Sequence, residues 1–143
     1  MKILAFDSTA RIASVALLED GKVLSLYNVD NGLTQSELLL PMAEAMLSSL
    51  RLSFSDIDLF AATVGPGSFT GVRIGVSFVK GLAFGGKKCV GVSTLEALAE
   101  NLRGLCGIIV PAMDARRSQV YTAIFRSKDG KAERITEDMA IPI

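Results

Sequence analysis

Apolar and polar positions alternate through the first thirty residues, as they do in strands that bury one face. Three such runs, Lys2 to Asp7, Ala13 to Glu19 and Lys22 to Asn28, predict an antiparallel meander. Asp20-Gly21 has the composition of a two-residue hairpin turn, so the second hairpin should close there.

The period then changes from two to about 3.6 residues, which predicts a helix from about Thr34 to Leu50. Thr34 and Glu37 have the spacing of a capping box at its start. Pro41 is an irregularity, because an interior proline removes one helical hydrogen bond.

Short apolar runs and helical patterns alternate further along the chain. The predicted elements are a strand, a helix, a strand and a helix at Leu59 to Val64, Gly71 to Phe84, Cys89 to Val92 and Thr94 to Leu102. The resulting order β-β-β-α-β-α-β-α predicts a mixed α/β layer.

The pattern then begins again. Gly107 to Asp114 repeats the apolar strand that ends in aspartate, Gln119 to Arg126 repeats the return strand, and Asp129-Gly130-Lys131 repeats Asp20-Gly21-Lys22. We therefore predict a complete N-terminal lobe at residues 1–106 and an incomplete second lobe at 107–143. The strands Ile108 to Asp114 and Gln119 to Arg126 should be neighbours in a sheet separate from the first.

A glycine-proline loop connects the fourth strand to the second helix. Its glycines permit positive φ or close approach, and Ser68 or Thr70 can cap the helix. Free N–H groups at such a helix start can hold an anion, yet neither a Walker loop nor the dinucleotide fingerprint is present. Phosphate binding and a purely structural turn both stay open for the loop residues Gly65, Pro66, Gly67, Ser68, Thr70 and Arg73.

Charge and composition narrow the function. The 143 residues carry 15 basic and 15 acidic side chains and no histidine, so the usual general base and most metal sites are missing from this chain. A balanced charge also argues against a chain that binds nucleic acid without the help of a partner protein. We expect a cytoplasmic protein without a membrane segment, and Cys89 and Cys106, in apolar surroundings, as buried thiols.

Five segments resemble the TsaB (YeaZ) family. They are ILAFDSTARIASVALL, QSELLLPMAEAML, GPGSFTGVRIG, GVSTLEALA and MDARRSQVYTAIF, at Ile3, Gln35, Gly65, Gly91 and Met113. They occur in the family's order and span nearly the whole chain, although family members are usually longer. The resemblance implies an α/β fold of the actin, hexokinase and Hsp70 (ASKHA) type with duplicated lobes.

The resemblance also implies a function. TsaB is an accessory subunit that binds and stabilises TsaD, with TsaE in the assembly, while threonylcarbamoyladenosine forms at position 37 of tRNAs reading ANN codons. TsaD holds its metal partly through two histidines on the first helix, where this chain reads Leu33-Thr34-Gln35-Ser36-Glu37. We therefore expect a noncatalytic subunit, not a peptidase, without cofactor or metal, that meets tRNA only through the complex.

In the ASKHA superfamily two aspartate turns clasp ATP phosphates and magnesium. The turns here are Asp7-Ser8-Thr9-Ala10 and Asp114-Ala115-Arg116-Arg117, and neither contains a glycine for close backbone approach. Asp7, Ser8, Thr9 and Asp114 are therefore expected to be a vestigial phosphate site or simple hairpin caps. A small ATP-dependent kinase or ATPase is the enzymatic alternative.

The two long helices are apolar on two sides, which predicts a covered second side. The resemblance implies that TsaD, or a second copy of this chain, covers the second apolar side. The alternative is that the core or a further segment of the chain covers it. A stand-alone homodimeric module is a further alternative for the function. The expected interface residues are Leu38, Met42, Met46, Gly71, Ile74, Gly75, Phe78 and Leu82.

Overall fold

The computed structural model describes all residues from 1 to 143. The chain forms two compact units, one of residues 1–64 and 68–91 and the other of 65–67 and 92–143. The domain boundary predicted between residues 106 and 107 stays a prediction. None of the helices has the length and apolar character needed to cross a membrane.

A mixed sheet forms the centre of the first unit, and its strand order is β3-β2-β1-β4-β5. The strands are β1 (Lys2–Asp7), β2 (Ala13–Glu19), β3 (Lys22–Val29), β4 (Leu59–Thr63) and β5 (Lys88–Val92). The helices are α1 (Gln35–Ser49) and α2 (Phe69–Ala83), with a short 3-10 turn at Phe54–Asp56. The predicted element order is confirmed, and α3 (Thr94–Glu100) follows β5.

Strand pairing follows the predicted meander. β1 pairs antiparallel with β2, with Lys2 opposite Glu19, and β2 pairs antiparallel with β3. β1 also pairs parallel with β4, where Phe6 lies opposite Ala62. The turn between β2 and β3 is Asp20-Gly21, with φ of 49° and 81°.

The core of the first unit comes from alternate strand positions and one face of each helix. Leu4, Phe6, Val15 and Leu17 are buried, while the strand residues between them are only partly covered. α1 begins where predicted, because the Thr34 N–H donates to the Glu37 carboxylate over 2.9 Å. The buried α1 residues are Leu38, Leu39, Met42, Ala43, Met46 and Leu47.

The second unit contains two three-stranded sheets, β10-β9-β6 and β11-β8-β7. Their strands are β6 (Gly107–Ile109), β7 (Ala112–Arg116), β8 (Gln119–Thr122), β9 (Phe125–Lys128), β10 (Lys131–Arg134) and β11 (Met139–Pro142). Its core contains Leu95 and Ala99 of α3 together with Ile109, Ala123 and Phe125.

Each of the two long strands predicted here is in fact two short ones. Pro111 has no N–H and interrupts the first, and its carbonyl oxygen instead accepts a 2.8 Å hydrogen bond from the Thr122 hydroxyl. The second is interrupted at Ile124, whose N–H donates to the Thr136 hydroxyl over 2.9 Å. The predicted neighbours do pair, β7 with β8 and β6 with β9, but in two sheets. Both sheets are separate from the five-stranded one, as predicted.

Candidate functional site

The first aspartate turn is held together by its own side chains. Asp7 ends β1, and its Oδ1 accepts hydrogen bonds from the Thr9 N–H at 2.9 Å, the Thr9 hydroxyl at 2.7 Å and the Thr63 hydroxyl at 2.7 Å. Ser8 and Thr9 are each only 1% exposed. The turn therefore uses one carboxylate oxygen and the Thr9 N–H for its own structure.

Helix α2 begins directly against this turn. The Ser8 hydroxyl donates to the Gly71 carbonyl oxygen over 2.8 Å, and the Ser68 N–H donates to the Thr9 carbonyl oxygen over 2.7 Å. A β-carbon on Gly71 would lie 1.9 Å from the Ser8 carbonyl oxygen, and one on Gly75 would lie 2.3 Å from the Ser8 Oγ. Both glycines thus permit a close approach within this chain.

The glycine-proline loop contributes a helix cap. The Ser68 Oγ accepts a 3.2 Å hydrogen bond from the Gly71 N–H, so Ser68 is the cap, and Thr70 lies exposed in the first turn. Gly65 has a φ of 107°, and its carbonyl oxygen accepts from the Thr94 N–H over 2.8 Å. Phosphate binding by this loop stays a prediction.

The second aspartate turn differs from the first. Asp114 is exposed, and its Oδ1 accepts a 2.7 Å hydrogen bond from the Arg116 N–H. The register between β7 and β8 shifts between Asp114 and Arg116, which makes a bulge before the hairpin tip. This turn lies open on its own unit, whereas the Ser8 and Thr9 side chains of the first are buried.

The residues predicted for a partner interface occupy two environments. Leu38, Met42 and Met46 lie in the core of the first unit, as do the buried backbones of Gly71 and Gly75. These five residues are buried in that unit, and their role in a partner interface stays a prediction.

Ile74, Phe78 and Leu82 pack against the core while still partly exposed, so their place in a partner interface stays a prediction. The Phe78 ring meets the Phe6 ring edge to face, with centroids 5.1 Å apart. These three residues lie on the same side of α2 as Gly71 and Gly75, which approach Ser8 closely. Arg73, Ser77 and Lys80 form the exposed polar stripe.

Large apolar side chains at other positions of the two helices are exposed. Phe69 is 74% exposed and Leu40 is 41% exposed. The Arg73 guanidinium lies 5.3 Å from the centre of the Phe69 ring, a cation–π distance. Phe69, Thr70, Arg73, Ile74 and Ser77 line a shallow groove of about 330 Å³.

Two features escaped the sequence analysis. One is the hydrogen bond from the Thr63 hydroxyl to Asp7. The parallel pairing of β1 with β4 could have predicted it, because that register places Asp7 beside Thr63. Phe69 escaped because the helix was predicted to begin two residues later. The expectation of buried thiols is wrong: Cys89 and Cys106 are exposed, since Cys89 lies on the edge strand β5 and Cys106 follows the turn after α3.

Gln35 ties the start of α1 to the segment after β1. Its Nε2 donates to the carbonyl oxygens of Ala10 and Arg11 at 3.0 and 3.2 Å. Gln35 therefore makes a structural contact in this chain.

Comparison with known proteins gives consistent matches. The family model of TsaD, tRNA N6-adenosine threonylcarbamoyltransferase, matches residues 34–143. The tRNA threonylcarbamoyladenosine biosynthesis protein TsaB of Bacillus subtilis is 36% identical over 99% of this chain and 62% of its own length. TsaB of Escherichia coli is 38% identical over 88% of this chain and 55% of its own length. The chain thus spans little more than half the length of these relatives.

Solved structures agree with the sequence matches. YeaZ from Pseudomonas aeruginosa superposes with a TM-score of 0.89 at 31% identity, over 99% of this chain and 67% of that one. An N-acetylglucosamine kinase from Porphyromonas gingivalis shares the fold at a TM-score of 0.53 and 14% identity, over 96% of this chain and 47% of that one. The ASKHA-type fold is confirmed, and the chain belongs to the TsaB/YeaZ family.

Proposed function

We propose that this chain acts in the biosynthesis of threonylcarbamoyladenosine on tRNA as a noncatalytic subunit that binds and stabilises TsaD. Its relatives are named for this biosynthesis. TsaE joins the assembly, and the modified position is adenosine 37 of tRNAs reading ANN codons. The modification takes place in the cytoplasm. The tRNA is held through the complex and not by this chain alone.

The internal use of Asp7 is the observation that carries the noncatalytic role. Phosphate-binding turns of this fold need backbone N–H groups that a nucleotide can reach. Here the Thr9 N–H donates to Asp7, and Ser8 and Thr9 are buried under the start of α2. Such a turn packs against the start of α2 and leaves the Thr9 N–H unavailable to a nucleotide. This favours a subunit that acts by binding a partner protein.

Exposed apolar side chains on α1 and α2 support contact with TsaD at these helices. Phe69 is a large aromatic residue at a helix start, and aromatic residues with arginines tend to dominate interface energy. Arg73 beside it supplies such an arginine. Leu40 offers a second apolar contact on α1. These residues add to the interface expected from the sequence, of which Ile74, Phe78 and Leu82 are also partly exposed.

Size-exclusion chromatography with light scattering, with purified TsaD, tests the proposal. We expect a complex of the two proteins, and we expect Phe69→Asp to weaken it about 30-fold or more, since a hot-spot residue contributes about 2 kcal/mol or above. Leu40→Asp should weaken it less. Val23→Asp is the matched control, because Val23 is 56% exposed and lies on strand β3, not on either helix.

Two outcomes would contradict the proposal. Full binding by Phe69→Asp with a normal circular dichroism spectrum would contradict the proposed interface. Absence of a complex with the unchanged chain would contradict the proposed function. The chain without TsaD should form a homodimer through the same exposed residues, so Phe69→Asp should make it monomeric.

A further inference from the structure

The structure contains three tight hairpin turns whose residues have positive φ, and one of them has an unexpected composition. The β2–β3 turn is Asp20-Gly21, at φ of 49° and 81°, and the β9–β10 turn is Asp129-Gly130, at 54° and 74°. Asp-Gly is a favoured pair for this conformation. The β7–β8 turn instead places Arg116, Arg117 and Ser118 at φ of 63°, 51° and 56°.

Three successive left-handed residues without a glycine are costly. The left-handed conformation is strained for a residue with a β-carbon, whereas Asn-Gly would fill the two central positions with little strain. Strained residues of this kind persist where the surrounding structure fixes them, and they cluster at functional sites. The chain uses the inexpensive pair in two hairpins, so the third is an exception within the same molecule.

The side chains of this tip, residues 116–118, are available to a ligand. Arg116 and Arg117 are exposed, and neither forms an ion pair with a carboxylate. The nearby Asp114 carboxylate accepts the Arg116 backbone N–H instead. The Ser118 carbonyl oxygen accepts from the N–H of Ile143, the residue after β11, over 3.0 Å. The arginine tip is therefore held in place with two free positive charges.

We propose that the arginine tip binds the phosphodiester backbone of RNA, and that in the complex this RNA is the tRNA. A guanidinium presents paired N–H donors that match two phosphate oxygens. A hairpin tip is convex and touches a phosphate chain from one side, whereas a free nucleotide needs a concave site. The inference rests on the proposed function, and it adds a direct RNA contact to a chain of zero net charge.

Binding of a fluorescent tRNA transcript, followed by anisotropy at several salt concentrations, tests the inference. The proteins are the full chain with TsaD and the full chain alone. We expect Arg116→Gln with Arg117→Gln to weaken binding about tenfold and to reduce the slope of log affinity against log salt by about 1.5, as loss of two phosphate contacts requires. The matched control is Lys128→Gln with Lys131→Gln, which removes the same charge from the exposed β9–β10 hairpin. It should change affinity less than twofold.

A second variant separates function from folding. Arg117→Asn with Ser118→Gly supplies the favoured turn pair, so it should raise the melting temperature while weakening tRNA binding about threefold. Three results would overturn the inference. They are an equal loss of affinity in the two charge-matched variants, unchanged tRNA binding by the Arg116 and Arg117 variant, and no tRNA binding at all. ATP that displaces tRNA from the tip would also overturn it. TsaD binding is measured separately by light scattering, so failure of the proposed function is recognised on its own.

Discussion

The Ser8 carbonyl oxygen occupies the space that a β-carbon at position 71 would need, since the two atoms would be 1.9 Å apart. Gly71 therefore lets α2 start against the first aspartate turn. This one contact joins the turn that carries Asp7 to the helix that carries Phe69.

Gly71→Ala should destabilise the first unit by about 3 kcal/mol, because backbone atoms on both sides must move to make room. Gly81→Ala is the control in the same helix, since nothing lies within 4 Å of its added β-carbon. That change should stabilise the protein by about 0.5–1 kcal/mol through higher helix propensity. Urea unfolding of both variants measures the difference, and equal stabilities would contradict the close contact.

Phe78→Asp should lower the free energy of unfolding by about 3 kcal/mol, because a ring packed against the core is replaced by a charge that has no partner. Phe78 packs on Phe6 and on the core of the first unit. Ser77→Asp, at the exposed neighbouring position, should change stability by less than about 0.5 kcal/mol. Thermal unfolding followed by circular dichroism compares them. A native-like melting curve for Phe78→Asp would show that the ring is not needed in the core.

Acidification should loosen the start of α1. The hydrogen bonds from the Thr34 hydroxyl and backbone N–H hold the pKa of Glu37 below its usual value. A lowered folded-state pKa adds stability above the unfolded pKa, and this stability is lost as the pH falls through the folded value. Glu37→Gln should therefore reduce the loss of stability between neutral pH and about pH 3, as measured by urea unfolding at each pH. Glu44→Gln removes a charge from the same helix without touching the cap and should keep the wild-type loss; the reverse pattern would contradict the capping role.

The isolated chain should neither bind ATP with useful affinity nor hydrolyse it. The Thr9 N–H and the Asp7 Oδ1 are already bonded to each other within the first turn. Titration calorimetry with ATP and magnesium checks this, and a dissociation constant in the low micromolar range, about −8 kcal/mol, would favour the kinase alternative. Asp7→Asn then distinguishes the two roles, because it should lower the melting temperature if Asp7 is structural and abolish ATP binding if it holds the nucleotide.

Local patterns of the sequence determined the order of the elements and several of their ends. Alternation with period two predicted β1 to β3; β1 and β2 bury alternate positions, whereas the alternate positions of β3 are only partly covered. Asp20-Gly21 and the Thr34 and Glu37 pair predicted a turn and a helix start, since both depend on residues within three positions of each other. Five short segments in a fixed order also indicated the TsaB/YeaZ family, because such motifs depend on residue identity and order alone.

Tertiary structure alone decided which face of α2 is buried and how the second unit is paired. The sequence shows two apolar sides on α2, and only the fit of Gly71 and Gly75 against Ser8 selects the side that carries Phe78. The break at Ile124 depends in the same way on a distant partner, Thr136. Such choices depend on the packing of residues far apart in the chain, which no local pattern records, whereas hairpin turns and helix caps are decided by neighbours.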